Sequence, residues 1–381
     1  MERKIYCFGA PLNYKQKFET NLILHGEADK KMVNNKYLNE FGHLRTPIPT
    51  PTELRSAIKT FQDMAGLPLS GELDFETLEQ IKMPRCGNDD IGRINERRKR
   101  FAPYDFGDIG LSLFDILFIF GKHVLLMFFV VYISRWEGKL KDGELRLKWF
   151  LHNYTPDIPR DEIRRTVNKA FNLWSSQITL KSVESLSLHF EEAESEENAD
   201  ITILWAEGDH GDEHMFDGPG EDGSNILAHT FYPNYQSKGT LNGDIHLDDY
   251  EKWHIGVGKE GASFPHVLGR YNVHEIGHTL GLGHSKKREA IMFPIYRKEQ
   301  LERMQLDMDD KCAVNWSYIG PSDLCLYMWL LAEVLPKKVA PIKNDEKDYE
   351  EESELKNENN VNWWAEEQRG IITKMPTKSN C

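Results

Sequence analysis

The chain is predicted to be a mixed α and β protein, α+β in class, with strands, an amphipathic helix and a metal-binding helix. Three observations predict this. Residues 144–151 alternate apolar and polar side chains as a half-buried strand does, and Asp200-Ile201-Thr202-Ile203-Leu204-Trp205 reads as another strand. Ile163, Val167, Ala170, Phe171 and Trp174 fall on one face of a helix between them. His274 and His278 are four apart, so on a helix both imidazoles leave one face a single turn apart.

The run His274-Glu275-Ile276-Gly277-His278-Thr279-Leu280-Gly281-Leu282-Gly283-His284-Ser285 carries the chemistry. Gly281 and Gly283 favour a turn after the helix, which lets the chain fold back and deliver His284 as a third ligand. Three imidazoles with a fourth position left to water are the ligand set of a catalytic zinc, which lowers the pKa of that water to roughly 7. Glu275 is placed to take the water's proton and pass it to a leaving amine, so peptide-bond hydrolysis is the expected reaction. The run resembles the long metzincin signature H-E-x-x-H-x-x-G-x-x-H, and Met292, eight residues after His284, supplies the methionine turn of that group.

Upstream, Pro84-Arg85-Cys86-Gly87 offers a thiolate able to take the open zinc position and hold the enzyme off. Arg97-Arg98-Lys99-Arg100 follows, a run that furin-like convertases cut, and cleavage there would release the segment carrying Cys86. With these motifs the chain resembles a matrix metalloproteinase zymogen from about residue 36 to about residue 315, without a hemopexin-like propeller. Tyr37 to Leu44, Leu54 through Gln62, Gly71 to Asp74, and Thr77-Leu78 resemble the family's helical propeptide, itself similar to peptidoglycan-binding modules. One departure stands at the switch: where the family reads a variable residue, Pro and Asp, this chain reads Asn88-Asp89-Asp90, and the missing proline predicts a looser lock.

The resemblance implies a metzincin catalytic domain with a twisted mixed sheet, and it places residues one by one. His210, Asp212, His229 and His246 match a structural zinc site, closed to water. Asp217, Asp248 and Glu251 match a calcium site, and Asp200 and Asp244 a further one. Pro294 and Tyr296 resemble the wall of the pocket that receives the side chain after the cut bond. Asp309-Asp310 resembles the acidic pair that meets the new amino terminus after activation. Extracellular matrix proteins, collagen included, are the implied substrates, with protein inhibitors of metalloproteinases as partners and an extracellular location.

The expected organisation is a prodomain over 1–100, an apolar insertion over 101–143, a catalytic domain over 144–320 and an acidic, partly disordered tail over 321–381. A formal charge of −14 gives no footprint for nucleic acid. Cys7, Cys312, Cys325 and Cys381 can pair in three ways once Cys86 is reserved for zinc, and Cys312 with Cys325 closes the only short loop. Asn153-Tyr154-Thr155 and Asn315-Trp316-Ser317 are glycosylation sequons that point to secretion. Met1 is followed by no apolar run of seven, so no secretory signal is read there, and a misassigned start would account for that.

The insertion holds an apolar stretch, Leu111 to Ile133, long enough to cross a bilayer, but Asp115, Lys122 and His123 sit inside it. A single crossing would also put Cys86 and the zinc helix on opposite sides of the membrane. The preferred reading is that these residues are absent from the working enzyme, with a membrane-contacting loop or a packed insertion as the alternatives. A catalytically inactive decoy that binds matrix or inhibitors is the competing function, and Glu275 argues against it.

Overall fold

The computed structural model describes residues 35–91, 134–136, 138–180, 186–212, 214–218, 226–233, 241–256, 266–297, 301–320 and 322–334. The basic run 97–100, the apolar stretch 111–133, Cys7, Cys381 and the tail past 334 lie outside them. Among the described residues no helix is long and apolar enough to cross a membrane.

Three helices open the described chain: α1 over 35–40, α2 Pro51–Met64 and α3 Phe75–Ile81. Thr50 starts α2 with a capping box, its hydroxyl accepting from Glu53 N at 3.3 Å while the Glu53 carboxylate accepts from Thr50 N at 2.7 Å. Pro51 fits the first helical position because its missing N–H would have no partner there. Asp74 caps α3 by accepting from Thr77 N at 2.9 Å. Buried Gln62 binds the intervening loop: its Nε2 donates to Ser70, Thr77 and the Glu72 carbonyl, and its Oε1 accepts from Gly71 N. Tyr37, Leu38, Phe41, Ile58, Phe61 and Ile81 form the core, which Phe216, Ile226, Phe293 and Ile295 of the larger domain join. The helical unit is therefore seated on that domain through shared apolar surface.

The larger domain is built on a seven-stranded sheet of β1 Arg85–Cys86, β2 Leu140–Lys141, β3 Glu144–Leu151, β4 Ser187–Glu192, β5 Ile201–Ala206, β6 Ile226–Thr230 and β7 Ile245–Asp248. Its path is β1-β6-β7-β5-β3-β2, with β4 also paired to β3. The sheet is mixed: β6 runs antiparallel to β7 and β2 to β3, and the remaining pairs are parallel. Leu145, Leu147, Trp149 and Leu151 are buried, as the alternation in β3 requires. They pack with α4 Arg160–Gln177, whose Ile163, Val167, Ala170, Phe171 and Trp174 all point inward.

A short parallel pair, β8 Trp253–His254 and β9 His266–Val267, leads into α5 Leu268–Thr279, a helix buried on every side. Trp174 Nε1 donates to the Val273 carbonyl at 2.8 Å and so fixes α4 on α5. A Cβ on Gly277 would collide with Met292 Sδ and stand 3.0 Å from Trp174 Cζ2. Glycine at mid-helix costs about 1 kcal/mol against alanine, and here it admits the Met292 turn directly beneath the helix.

The structure moves both ends of the domain drawn from sequence. Residues 134–136 and 138–143 belong to it, because Trp136 is buried with its Nε1 donating to the Thr279 carbonyl at 2.9 Å, and β2 pairs with β3. Past 320 the chain continues from α6 Met308–Tyr318 into α7 Asp323–Val334, which the Cys312–Cys325 disulfide ties to α6. Trp329, 1% exposed, donates its indole N–H to Asp309 Oδ1 at 2.9 Å. Asn315 is buried within α6, its amide engaged by Ile178, Leu186 and Lys311, so this sequon is a packing residue. Replacing Cys312 and Cys325 by Ala opens a 13-residue separation, and the expected loss is roughly 3 kcal/mol. Thermal unfolding of variant and wild type checks this; equal midpoints would contradict it.

Candidate metal centre

α5 carries His274, Glu275 and His278, and Gly281, at φ +93°, turns the chain so that His284 returns to them. A side chain at Gly281 would also strike the Ser134 carbonyl. His274, His278, His284 and Cys86 are all buried, and each offers one ligand atom within 4.8 Å of the others. Every ring has its far nitrogen tied: His274 Nδ1 to the Ile291 carbonyl at 2.7 Å, His278 Nδ1 to the Leu282 carbonyl at 2.7 Å, and His284 Nδ1 to Asp90 Oδ1 at 2.8 Å. These acceptors fix the tautomer that leaves each Nε2 lone pair facing inward.

The donor set fits a metal. His278 Nε2 and His284 Nε2 stand 3.2 Å apart, where two lone pairs repel unless a cation or proton lies between them. His274 Nε2 is buried with no hydrogen-bond partner among the described residues. Burial holds the His274 and His284 rings well toward the neutral form, the ligand state. Cys86 Sγ lies 3.4 Å from His278 Nε2. Burial, reinforced by the neighbouring Glu275 carboxylate, pushes that thiol up, so a thiolate here requires a cation beside it. Burial likewise pushes Glu275 up to about 7, against hydrogen bonds from Thr230 and Cys86 that favour its charged form.

Cys86 arrives on β1, which lies parallel to β6 with Cys86 opposite Ala228. Gly87 N donates to the Ala228 carbonyl at 2.7 Å, Cys86 N to the Pro294 carbonyl at 3.0 Å, and Tyr296 N to the Pro84 carbonyl at 2.8 Å. The segment thus fills the cleft between β6 and residues 294–296. Arg85 is clamped by Asp90, with Nη2 to Oδ1 at 2.6 Å, and its guanidinium lies 3.5 Å from the Phe41 ring centre. Burial opposes charge on Asp90, but Arg85, His284 and His43 hold its carboxyl well below the usual range. Asn88 brackets β6: its Nδ2 donates to the Thr230 carbonyl and its Oδ1 accepts from Thr230 N, both at 2.9 Å. Asn88, at the variable position beside the missing proline, therefore makes two hydrogen bonds an apolar residue could not.

His210, Asp212, His229 and His246 form a second cluster. Asp212 Oδ2 lies 2.8 Å from His210 Nε2, 3.0 Å from His229 Nε2 and 2.7 Å from His246 Nδ1. Burial would raise the Asp212 carboxyl, yet the three histidines hold it well below its ordinary range. Burial pushes His229 down to about 3. Three imidazoles around one carboxylate fit a closed zinc site.

Around Asp248 the carboxylates crowd. Burial, with Glu251, Asp217 and Asp249 nearby, pushes Asp248 up to about 7, and its buried Oδ2 has no hydrogen-bond partner among the described residues. Hard oxygen ligands in surplus fit calcium. Burial pushes Asp244 up to about 7 as well, although it accepts from Thr202 N at 2.8 Å. Asp200 instead meets Lys139 Nζ at 2.6 Å and Lys148 N at 2.9 Å, so the structure does not bring it onto a common partner with Asp244. A folded-state pKa raised from 3.8 means that the folded chain keeps protons the unfolded chain sheds. Without a cation, the stability from these groups is present at low pH and lost as pH rises toward 7. Exchange into calcium-free buffer is therefore expected to lower Tm more at pH 8 than at pH 5, with added calcium restoring it; equal shifts at the two pH values would contradict this.

Pro294 and Tyr296 line a narrow pocket together with Cys86, Tyr271, His274 and Arg270. Tyr271 and Tyr296 stack with ring centres 5.0 Å apart. Arg270, 3% exposed, and Thr230 are site residues that no spacing motif marks. Asp309 receives Ser285 Oγ at 2.6 Å as well as Trp329, and Asp310 receives Ile291 N and Met292 N. The pair thus supports the segment between His284 and the methionine turn.

Residues 135–319 match the matrixin family and residues 35–81 the putative peptidoglycan binding domain. The chain is 39% identical over 320 residues to matrix metalloproteinase-B of Caenorhabditis elegans, covering 81% of this chain and 55% of that protein. It is 32% identical over 287 residues to metalloendoproteinase 4-MMP of Arabidopsis thaliana, covering 74% and 70%. To mouse stromelysin-1 it is 32% identical over 266 residues, covering 70% and 43%. The chain thus spans about half the length of the first and third of these proteins. With its helical unit, its mixed sheet, two clusters suited to zinc and this likeness along most of its length, the chain belongs to the matrixin family of matrix metalloproteinases.

Proposed function

We propose that the chain is a zinc-dependent endopeptidase made as a latent precursor. The observation that carries this is the convergence of His274, His278, His284 and Cys86 within 4.8 Å beside the buried Glu275. Zinc held by the three imidazoles would supply a Lewis acid for the scissile carbonyl and a water of lowered pKa. Glu275 takes the proton of the attacking water and then gives it to the leaving nitrogen. Residues 294–296 and the edge of β6 that β1 vacates when the segment leaves align the peptide, and the pocket at Pro294 and Tyr296 takes the side chain after the cut bond. In the precursor Cys86 fills the position that water needs, until cleavage at Arg97-Arg98-Lys99-Arg100 by a furin-like convertase frees the segment.

His210, Asp212, His229 and His246 hold a structural zinc, and Asp217, Asp248 and Glu251 hold calcium, with Asp200 and Asp244 near a further site. Extracellular matrix proteins are the substrates, protein inhibitors of metalloproteinases the regulators, and the location is extracellular. The test is hydrolysis of a quenched fluorescent peptide by the convertase-cut chain with zinc and calcium supplied. Hydrolysis abolished by a zinc chelator is expected, and chelator-insensitive or absent hydrolysis would overturn the reading.

A further inference from the structure

Thr230 ends β6, 45 residues before Glu275 in sequence, yet its Oγ1 donates to Glu275 Oε2 at 2.6 Å in a fully buried contact. The other carboxylate oxygen, Oε1, is buried with no hydrogen-bond partner among the described residues. Thr230 therefore anchors one oxygen of the base with a hydroxyl that stays after activation, whereas the Cys86 thiol that also bonds this carboxylate leaves with the segment. A carboxylate turns about its last side-chain bond over a broad, nearly two-fold well, so without an anchor its basic lone pair has no fixed direction. A hydroxyl bonded to a buried carboxylate is a strong, charge-assisted contact that fixes that direction.

We infer that Thr230 is a positioning residue of the catalytic base, holding Oε2 of Glu275 so that Oε1 faces the reacting water. The inference rests on the endopeptidase reading of the same site. The two functions of Thr230 are separable by atom. Its backbone N–H and carbonyl, bracketed by Asn88 in the precursor, face the cleft and become available to a peptide when the segment leaves. Its hydroxyl donates to Glu275. Removing the hydroxyl leaves the backbone groups that bind peptide in place, so the effect belongs in kcat and not in KM.

The experiment compares wild type, Thr230→Val and Thr230→Ser as full chains, cut by convertase at the basic run and supplied with zinc and calcium. Valine keeps the shape and loses the hydroxyl, whereas serine keeps the hydroxyl. Thr230→Val is expected to lower kcat at least tenfold with KM within twofold, and Thr230→Ser to stay within threefold of wild type. A second arm, independent of turnover, is the crystal structure of the uncut zinc-loaded Thr230→Val chain, where the Glu275 carboxylate is expected to leave its wild-type rotamer. A kcat within twofold of wild type for valine, a serine variant as slow as valine, or an unmoved carboxylate would overturn the inference. If wild type itself hydrolyses no peptide, the endopeptidase reading fails, and the crystal structure alone decides whether Thr230 positions Glu275.

Discussion

Glu275→Gln is expected to lower kcat for peptide hydrolysis by roughly 10³-fold while the protein keeps its zinc. Glutamine has the same shape, and its carbonyl can still accept from Thr230 Oγ1, which sits 2.6 Å from the carboxylate. What it lacks is a lone pair basic enough to take a proton. Burial pushes the Glu275 carboxyl up to about 7, which poises it to gain and release a proton near neutrality. Metal analysis of the purified variant separates this loss from loss of the ion. A variant with bound zinc and a kcat within tenfold of wild type would remove Glu275 from the mechanism.

Cys86→Ser is expected to raise the activity of the uncut precursor at least tenfold and to lower its Tm. A serine hydroxyl is a far weaker zinc ligand than a thiolate, so the fourth position opens to water part of the time. The increase should stop short of full activation, because the segment keeps its other holds. Arg85 stays paired with Asp90, Asn88 stays on Thr230, and Lys286 stays 2.7 Å from Asp63 across the two units. Breaking the buried Arg85–Asp90 pair by Asp90→Ala costs roughly 3–5 kcal/mol in comparable settings, which sets the scale of those holds. Peptide hydrolysis by uncut wild type and variant is the check, and an equally silent variant would mean that Cys86 is not the lock.

The metal-facing residues were legible because their chemistry is local. His274 and His278 are set by helical spacing, and the glycines that return His284 are marked by their own conformational needs. The strand at 144–151 and the helix face from Ile163 to Trp174 were equally local, since one period carries each. Thr230 was not legible, because its role depends on a strand ending beside a helix 45 residues away in sequence. Asn88 fills a variable position in sequence and becomes a bracket only when β6 lies across from it. Trp329 and α7 lie past the span of the family likeness, and only the buried Asp309 shows why an apolar stretch follows α6. Arg270 carries a charge that pattern reading assigns to the surface, yet the fold buries it at the pocket.

The account turns on one arrangement, three imidazoles and one thiolate around a single ion in the precursor. X-ray absorption at the zinc edge of the uncut chain, with the second cluster disabled by His229→Ala to leave one zinc, tests it most directly. The predicted first shell is three nitrogen ligands and one sulfur, with the sulfur lost on convertase cleavage. A shell of nitrogen and oxygen alone in the uncut chain would contradict the account.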